Sequence, residues 1–372
     1  MSIFWYIILI LWGVWALVMV KVLNKIIFKK YKYTEKLDPN IKENHKPFER
    51  YDRKNWNLVE IYLGAIFLLP IRTIAIVFFM LLLGVFCKVI GVQSTLEQAR
   101  TEMSSFQRYS IRGFVYFVTR IILISSGFYY IGVKKEKITD YEPTYPAQTY
   151  KETKNNKASI IVCNHQSWID IMLMTNMFQP SFLSKMDVYK YPLFGRAAVA
   201  LQCLFVERES EEARQDIIQQ IQTRGKNIKN GKNFAPILIF PEGTTTNGRY
   251  LLDFKKGAFE PGLPVKIMCV KYLPRNFNPA LDSVDTLDNY ILLASQFYNR
   301  VQVIELDNYY PDHLGITDYS KDWGVYAKAV KTIMVNVLKI KESSFGFRDS
   351  KEYMEVLKQR QKELRENGKK KI

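Results

Sequence analysis

The sequence predicts an α/β fold: a mixed, largely parallel sheet flanked by helices and preceded by N-terminal membrane helices. Three observations carry this expectation. Residues Ile3 to Val20 form an apolar run without a single charge. From about Ala158 onward, short apolar runs of strand length alternate with amphipathic helical ones, the pattern of a sheet covered by helices. The two segments richest in chemistry, around His165 and around Glu242, each follow such a run directly, where open α/β sheets gather their functional groups.

Composition narrows the classes. The 372 residues carry 53 Lys+Arg against 36 Asp+Glu, a net charge of +17, with 48% hydrophobic and 14% aromatic residues, which excludes a disordered polyelectrolyte. A basic excess of this kind suits nucleic acid, an anionic membrane surface or a phosphorylated small molecule. No basic helix or aromatic platform of a nucleic-acid-binding kind is present, so no nucleic acid partner is expected. Cys87, Cys163, Cys203 and Cys269 are widely spaced and lie beside apolar residues, which reads as buried reduced thiols with no metal site.

Ile3 to Val20 is long enough to cross most of a hydrocarbon core of about 30 Å. It lacks the basic n-region of a cleavable signal peptide, and residues 1–30 are read as a retained transmembrane signal anchor. Residues 31–55 form a basic linker: between Lys21 and Lys54 eleven Lys/Arg face five Asp/Glu, which places this side in the cytosol. Residues 56–133 are assigned to membrane-embedded re-entrant and interfacial helices. Trp56 to Ile90 is apolar but interrupted by Pro70 and Arg72, and 35 residues are too few for two full spans. A bent re-entrant pair fits, with one kinked span as the competing reading. Phe114 to Val133 contains Arg120 and reads as an interfacial or packed helix.

Residues 134–320 are expected to form the catalytic domain. Its strands are Ser159 to Cys163, Cys203 to Val206, Pro236 to Phe240, Val265 to Tyr272 and Val301 to Leu306; helices are expected over Tyr189 to Leu201 and Glu211 to Ile228, with Gly231 as a cap. Residues 321–372 supply C-terminal helices and a basic tail. The terminal Lys369-Lys370-Lys371-Ile372 is either a solvated tail or a cytosolic retrieval signal of the endoplasmic reticulum.

Of His45, His165 and His313, only His165 follows a strand. In Asn164-His165-Gln166-Ser167-Trp168-Ile169-Asp170 the spacing of five sets His165 and Asp170 about 140° apart on a continuous helix. They meet if His165 precedes the helix and Asp170 lies in its first turn. The carboxylate would then fix the imidazole tautomer and hold the charge that appears when the ring takes a proton, which is how a general base is tuned. Ser167 has no activating partner, so direct attack by a substrate hydroxyl is favoured over an acyl-enzyme. The plainer alternative is a capping box from Ser167 to Asp170. His313 and Asp318 repeat the spacing in a polar turn with no strand before it, so context must discriminate.

The second cluster, Phe240-Pro241-Glu242-Gly243-Thr244-Thr245-Thr246-Asn247-Gly248, offers backbone N–H groups and threonine hydroxyls to a phosphate. Glu242 would repel that phosphate unless an arginine intervenes, and Arg208 is the candidate. A turn whose glycines serve geometry alone is the other reading. Gly243 and Gly248 have the spacing that opens a nucleotide P-loop, but Arg249 and Tyr250 stand where its lysine and hydroxyl belong.

Together these segments resemble the glycerolipid acyltransferase family marked by an NHxxxxD motif (PlsC-like). Asn164, His165 and Asp170 match the first motif; Leu204, Phe205, Val206 and Arg208 resemble the second; Phe240 to Thr244 match the third; Pro264 and Val265 resemble the fourth. The run from Phe240 through Val265 is most similar to the lysophosphatidylcholine and lysophosphatidylethanolamine acyltransferases. The resemblance implies acyl-CoA as co-substrate, a lysophospholipid as acceptor, no further cofactor, and the endoplasmic reticulum membrane as site. It implies His165 and Asp170 as the catalytic pair, and Asn164, Arg208, Glu242, Gly243, Thr244 and Pro264 as substrate-binding residues. Lys185, Lys190 and Arg196 are candidates for holding CoA phosphates. Gln202 stands where the second motif commonly has glycine, which would alter the acceptor pocket, and no EF-hand loop is present. Lysophosphatidic acid is the alternative acceptor, and a silent lipid-binding scaffold the alternative of another class.

Overall fold

The computed structural model describes residues 3–32, 40–92, 95–146, 158–206 and 211–369. Arg208 and Lys370 to Ile372 lie outside them, so the expectations placed on the arginine and on the retrieval signal are not addressed by the coordinates. The helices are α1 (Ile3–Asn24), α2 (Leu58–Phe67), α3 (Leu69–Val89), α4 (Leu96–Arg100), α5 (Ser105–Ser125), α6 (Trp168–Phe178), α7 (Met186–Lys190), α8 (Pro192–Ala200), α9 (Glu211–Lys229), α10 (Thr286–Ala294), α11 (Tyr319–Leu338) and α12 (Phe347–Lys369). The strands are β1 (Ile131–Glu136), β2 (Ile160–Cys163), β3 (Ser181–Lys185), β4 (Leu204–Val206), β5 (Ile237–Ile239), β6 (Tyr250–Leu251), β7 (Val265–Tyr272), β8 (Val301–Tyr309) and β9 (Lys341–Glu342).

Seven strands form one sheet in the order β1-β8-β7-β2-β5-β3-β4. From β7 to β4 neighbours run parallel; β8 is antiparallel to β7, and β1 is parallel to β8. The sheet is therefore mixed and largely parallel. Alternation along the strands divides the core. Ile160, Val162, Ile237, Ile239, Val265 and Ile267 pack with α9 and α11 on one face. Ile161, Cys163, Leu238, Met268 and Val270 pack with α5, α6, α8 and α10 on the other. The four cysteines are buried free thiols.

The first helix and its continuation to Lys30, and α3, are long and apolar enough to cross a membrane. The second apolar stretch breaks at Leu68, because Pro70 fits only the first turn of a new helix. Its halves stay in contact at that break, and each also has another neighbour. Trp15 Nε1 donates to Ala65 O (3.0 Å), setting α2 beside α1. The antiparallel neighbour of α3 is α5, through Phe86 stacked on Phe114 and Gln107 Nε2 bonded to Ile90 O. Arg72, an apparent defect in an apolar run, is buried and donates to the carbonyls of Ala294, Gln296 and Phe297 beyond the end of α10. A cation at a helix C-terminus is the favourable arrangement, and here it fastens α3 to α10 and the loop after it.

Two expected boundaries shift. The run Phe114 to Val133 is not one helix: α5 ends at Ser125, Gly127 takes φ +83°, and β1 begins at Ile131. Arg120 donates to Phe128 O (3.4 Å) and Tyr129 O (2.7 Å) just past that end. Tyr189 to Leu201 divides at Tyr191, since the residue before Pro192 is pushed out of helical conformation. Gly231 does close α9, at φ +81°.

Candidate active site

The side chains with chemistry collect at the carboxyl ends of β2 and β5, adjacent and parallel. His165 leaves β2 and precedes α6, while Asp170 occupies the first turn of that helix. The ring Nδ1–H donates to Asp170 Oδ2 at 3.0 Å. The same oxygen accepts the N–H groups of Gln166 (2.6 Å) and Ser167 (2.8 Å), so Asp170 serves the capping box and the imidazole together. The two sequence readings of this carboxylate are compatible. Its other oxygen, Oδ1, accepts the Tyr272 hydroxyl at 2.5 Å. Burial, with Asp170 beside it, holds the Tyr272 phenol well above its usual range, so it stays a neutral donor.

The imidazole is fixed on a further side. It stacks on Phe240, with centroids 4.0 Å apart and planes 14° from parallel. Its backbone N–H donates to Glu242 Oε1 (2.7 Å), and its carbonyl accepts Thr246 N–H (3.1 Å). The side chain is 18% exposed, whereas Asp170 is sealed, so Nε2 is the ring atom left to meet a substrate.

Glu242 was expected to face an acceptor phosphate; instead it is fully buried, and both oxygens are taken by backbone donors, His165 N–H and Leu252 N–H (3.0 Å). Burial pushes its carboxyl up to about 8 against the pull of those two donors. It joins the two turns rather than reaching into the cleft. Asn164 is likewise diverted from substrate: its Nδ2 donates to Val270 O (3.0 Å) and its Oδ1 accepts Val270 N–H (2.7 Å), fastening the end of β2 to β7.

Gly243 lies in the turn at φ +71°, exposed, and uses its N–H on Phe240 O. The backbone N–H groups of Thr244 and Thr245 have no protein partner among the described residues, which leaves them as donors beside His165. Gly248, at φ +81°, has no room for a side chain, since a Cβ would come within 2.3 Å of Gln166 Oε1.

Pro264 is not in the cleft. Because β7 runs parallel to β2 with Val265 opposite Ile160, it stands at the end of the sheet opposite His165, roughly 20 Å away at 3.3 Å per residue. Gln202 is also remote, before β4. Its φ of +56° explains why a glycine would suit the position: it closes α8 in a left-handed cap, Gln202 N–H to Val199 O and Cys203 N–H to Ala198 O. Lys190 pairs with Asp187 on the surface. His313 and Asp318 do not meet, for the ring bonds Tyr309 and Tyr310 while the carboxylate caps α11 through Ser320.

Sequence reasoning missed Tyr272 and the stacking role of Phe240. Both sat in runs read only as strands, although a tyrosine ending a strand beside the His165 turn is a usable signal. Asn247, taken for part of a phosphate turn, holds the linker: its N–H donates to Pro47 O and its Nδ2 to Lys46 O and Glu49 O.

The arrangement has the parts a general base needs: an oriented imidazole whose Nε2 is unpaired among the described residues, a buried carboxylate behind it, and N–H donors of the next turn alongside. Comparison with known proteins agrees with acyl-transfer chemistry. Residues 142–270 match the family described as Acyltransferase. The chain is 28% identical over 325 residues to the lysophospholipid acyltransferase LPEAT1 of Arabidopsis thaliana, covering 80% of each. It is 28% identical over 294 residues to a lysophosphatidylcholine acyltransferase of Drosophila melanogaster, covering 78% of this chain and 51% of that one, so it spans about half the length of that relative. The crystal structure of the 1-acyl-sn-glycerophosphate (LPA) acyltransferase PlsC from Thermotoga maritima is 17% identical, with a TM-score of 0.46 over 76% of this chain and 95% of that one.

Proposed function

We propose, from a chain whose residues 142–270 are an acyltransferase-family domain, that the protein is a membrane-bound acyl-CoA:lysophospholipid O-acyltransferase in which His165 is the general base. The observation that carries this reading is the pair His165 Nδ1–Asp170 Oδ2, with the imidazole partly exposed, at the ends of two parallel strands.

In this mechanism Nε2 takes the proton of a glycerol hydroxyl while that oxygen attacks the thioester carbonyl carbon of acyl-CoA. Asp170 holds the imidazolium, as the sealed counter-charge of a base should. The tetrahedral oxyanion is met by free N–H donors of the Thr244–Thr245 turn. The C–S bond then breaks, the ring returns its proton to the CoA sulfur, and the new ester leaves as phospholipid. Glu242 and Asn164 act by holding the backbone of the His165 turn, and Tyr272 by shaping the charge on Asp170. Gly243 and Thr244 line the phosphate end of the acceptor, and Arg208, outside the described residues, is the cation this reading assigns to that phosphate. A glycerolipid acceptor reaches the cleft from the bilayer held by α1 and α3, and CoA from the cytosolic side that the basic stretch Lys21–Lys54 marks. The endoplasmic reticulum membrane is the location this reading assigns to the reaction.

The test is to incubate the purified chain with labelled acyl-CoA and a panel of lysophospholipids that includes lysophosphatidic acid. Transfer to lysophosphatidylcholine or lysophosphatidylethanolamine is expected. Preference for lysophosphatidic acid would move the protein to the alternative acceptor, and no transfer to any member would remove the enzyme reading in favour of a lipid-binding scaffold.

A further inference from the structure

At the end of the sheet opposite His165 lies a group of arginines that the acyl-transfer mechanism does not use. Arg108, on the first turns of α5, is 8% exposed, and Arg224, on α9, is 4% exposed. They converge on Gln202, which accepts Arg108 Nη1 at its side-chain oxygen (3.0 Å) and Arg224 Nη1 at its carbonyl (3.4 Å). Arg112, one turn beyond Arg108, is exposed and spends its Nε on Gln179 Oε1 (3.3 Å). Among the described residues no carboxylate contacts any of the three. Glu102, the nearest acid before α5, gives an oxygen to Asn233 N–H instead.

Buried charges in proteins are paired, since an unpaired one keeps its full desolvation cost. Arg224 spreads its charge over Ser181 Oγ, Gln202 O, Ala99 O and the face of Phe234. Among the described residues Arg108 makes one hydrogen bond, to Gln202, which leaves its Nε and Nη2 without a partner there, and neither is sealed from solvent. Two further features raise the demand for an anion. The first turn of α5 holds no acidic residue, so Arg108 sits unopposed near the positive end of the helix. Burial, and after it the charge of a neighbouring arginine, pushes both guanidinium groups down to about 10.

The surroundings identify the anion. Phe106 and Tyr109, 74% and 70% exposed, flank Arg108 on α5. Gln107 ties this turn to Ile90 at the end of α3, whose outward residues Val85 and Val89 are 58% and 78% exposed. Exposed aromatics and arginines at the end of an apolar helix pair belong in the headgroup layer of a bilayer. We propose that Arg108 and Arg112, with Arg224 behind them, form a binding site for the phosphate of an anionic phospholipid, separate from the catalytic cleft by roughly 20 Å along and across the strands. A planar guanidinium with two free nitrogens suits a phosphate oxygen pair.

The test uses the full-length chain in neutral detergent. Dioctanoyl phosphatidylserine, dioctanoyl phosphatidylcholine and inorganic phosphate are each titrated while bound lipid is counted by native mass spectrometry and the thermal midpoint is followed. One phosphatidylserine is expected to be retained, with a saturable rise in midpoint and affinity roughly tenfold above that for phosphatidylcholine. Arg112→Gln, on the exposed rim, and Arg108→Gln should each lower that affinity about tenfold or more. Stabilisation by inorganic phosphate alone would overturn the lipid assignment. Retention of phosphatidylserine unchanged in Arg112→Gln would place the lipid in the catalytic cleft and overturn the site. Neither readout depends on acyl transfer.

Discussion

Replacing Tyr272 by phenylalanine deletes one hydroxyl and leaves the ring in place. That hydroxyl donates to Asp170 Oδ1 at 2.5 Å and is the sole donor to this oxygen among the described residues, whereas His165, Gln166 and Ser167 all converge on Oδ2. Both side chains are buried, so no water replaces the lost donor freely. A hydrogen bond to a buried charged acceptor is worth about 1.5–3 kcal/mol, and the variant should lose about 2 kcal/mol of stability, roughly 30-fold in its folding constant. The effect on catalysis has a definite sign. Without the tyrosine, the negative charge of Asp170 concentrates on its bond to His165 and holds the imidazolium more firmly. The acid limb of the pH–rate profile should therefore move to higher pH, while the rate on the alkaline plateau stays within about tenfold of the parent. The assay is labelled-acyl transfer across the pH range, beside a denaturant midpoint in the same detergent. A lowered midpoint with an unmoved acid limb would reduce Tyr272 to packing, and a limb displaced to lower pH would refute the charge argument.

Other consequences can be checked in the same preparation. Glu242, raised to about 8 by burial from an ordinary 4.5, keeps in the folded state a proton that the unfolded chain sheds, so its contribution favours folding at low pH and is lost as pH rises through about 8; denaturation of Glu242→Gln should lose that downward slope, and an unchanged slope would contradict it. Gly64→Ala would bring a methyl carbon within 1.6 Å of the Ser295 carbonyl oxygen and push α2 off the end of α10, so a thermal midpoint lowered by the equivalent of about 1–3 kcal/mol is expected, and an unaltered one would disprove the close approach. His313→Ala, which removes a ring bonded to Tyr309 and Tyr310, should leave specific acyl transfer within about twofold of the parent; a large loss would mean that its repeat of the His165 spacing has a catalytic meaning after all.

Much of the sheet and of the candidate site was legible because its signals are local. Strand β7 was read to its exact limits, Val265–Tyr272, from composition alone, and the meeting of His165 with Asp170 followed from helix geometry once the histidine was placed ahead of α6. What escaped depends on pairing between distant segments. Strand β3, Ser181–Lys185, is short and carries three polar residues in five, and it is a strand because β5 and β4 flank it on both sides. Pro264 was grouped with the site by motif order, but the parallel register of β7 and β2 sends the start of β7 to the far end. Glu242 and Asn164 look in sequence like hands for a substrate. Only the fold shows that their hydrogen-bonding capacity is spent on the backbone of Leu252, His165 and Val270. Arg72 and Arg120 read as faults in apolar segments until the carbonyls they bind come into view.

The measurement closest to the central claim is the single-turnover rate of acyl transfer by His165→Ala, with the fold monitored by its thermal midpoint. A base of this kind contributes about 10²–10⁴-fold, so the variant should lose at least that factor while melting close to the parent. A folded His165→Ala protein that still transfers the acyl group within tenfold of the parent rate would contradict the account.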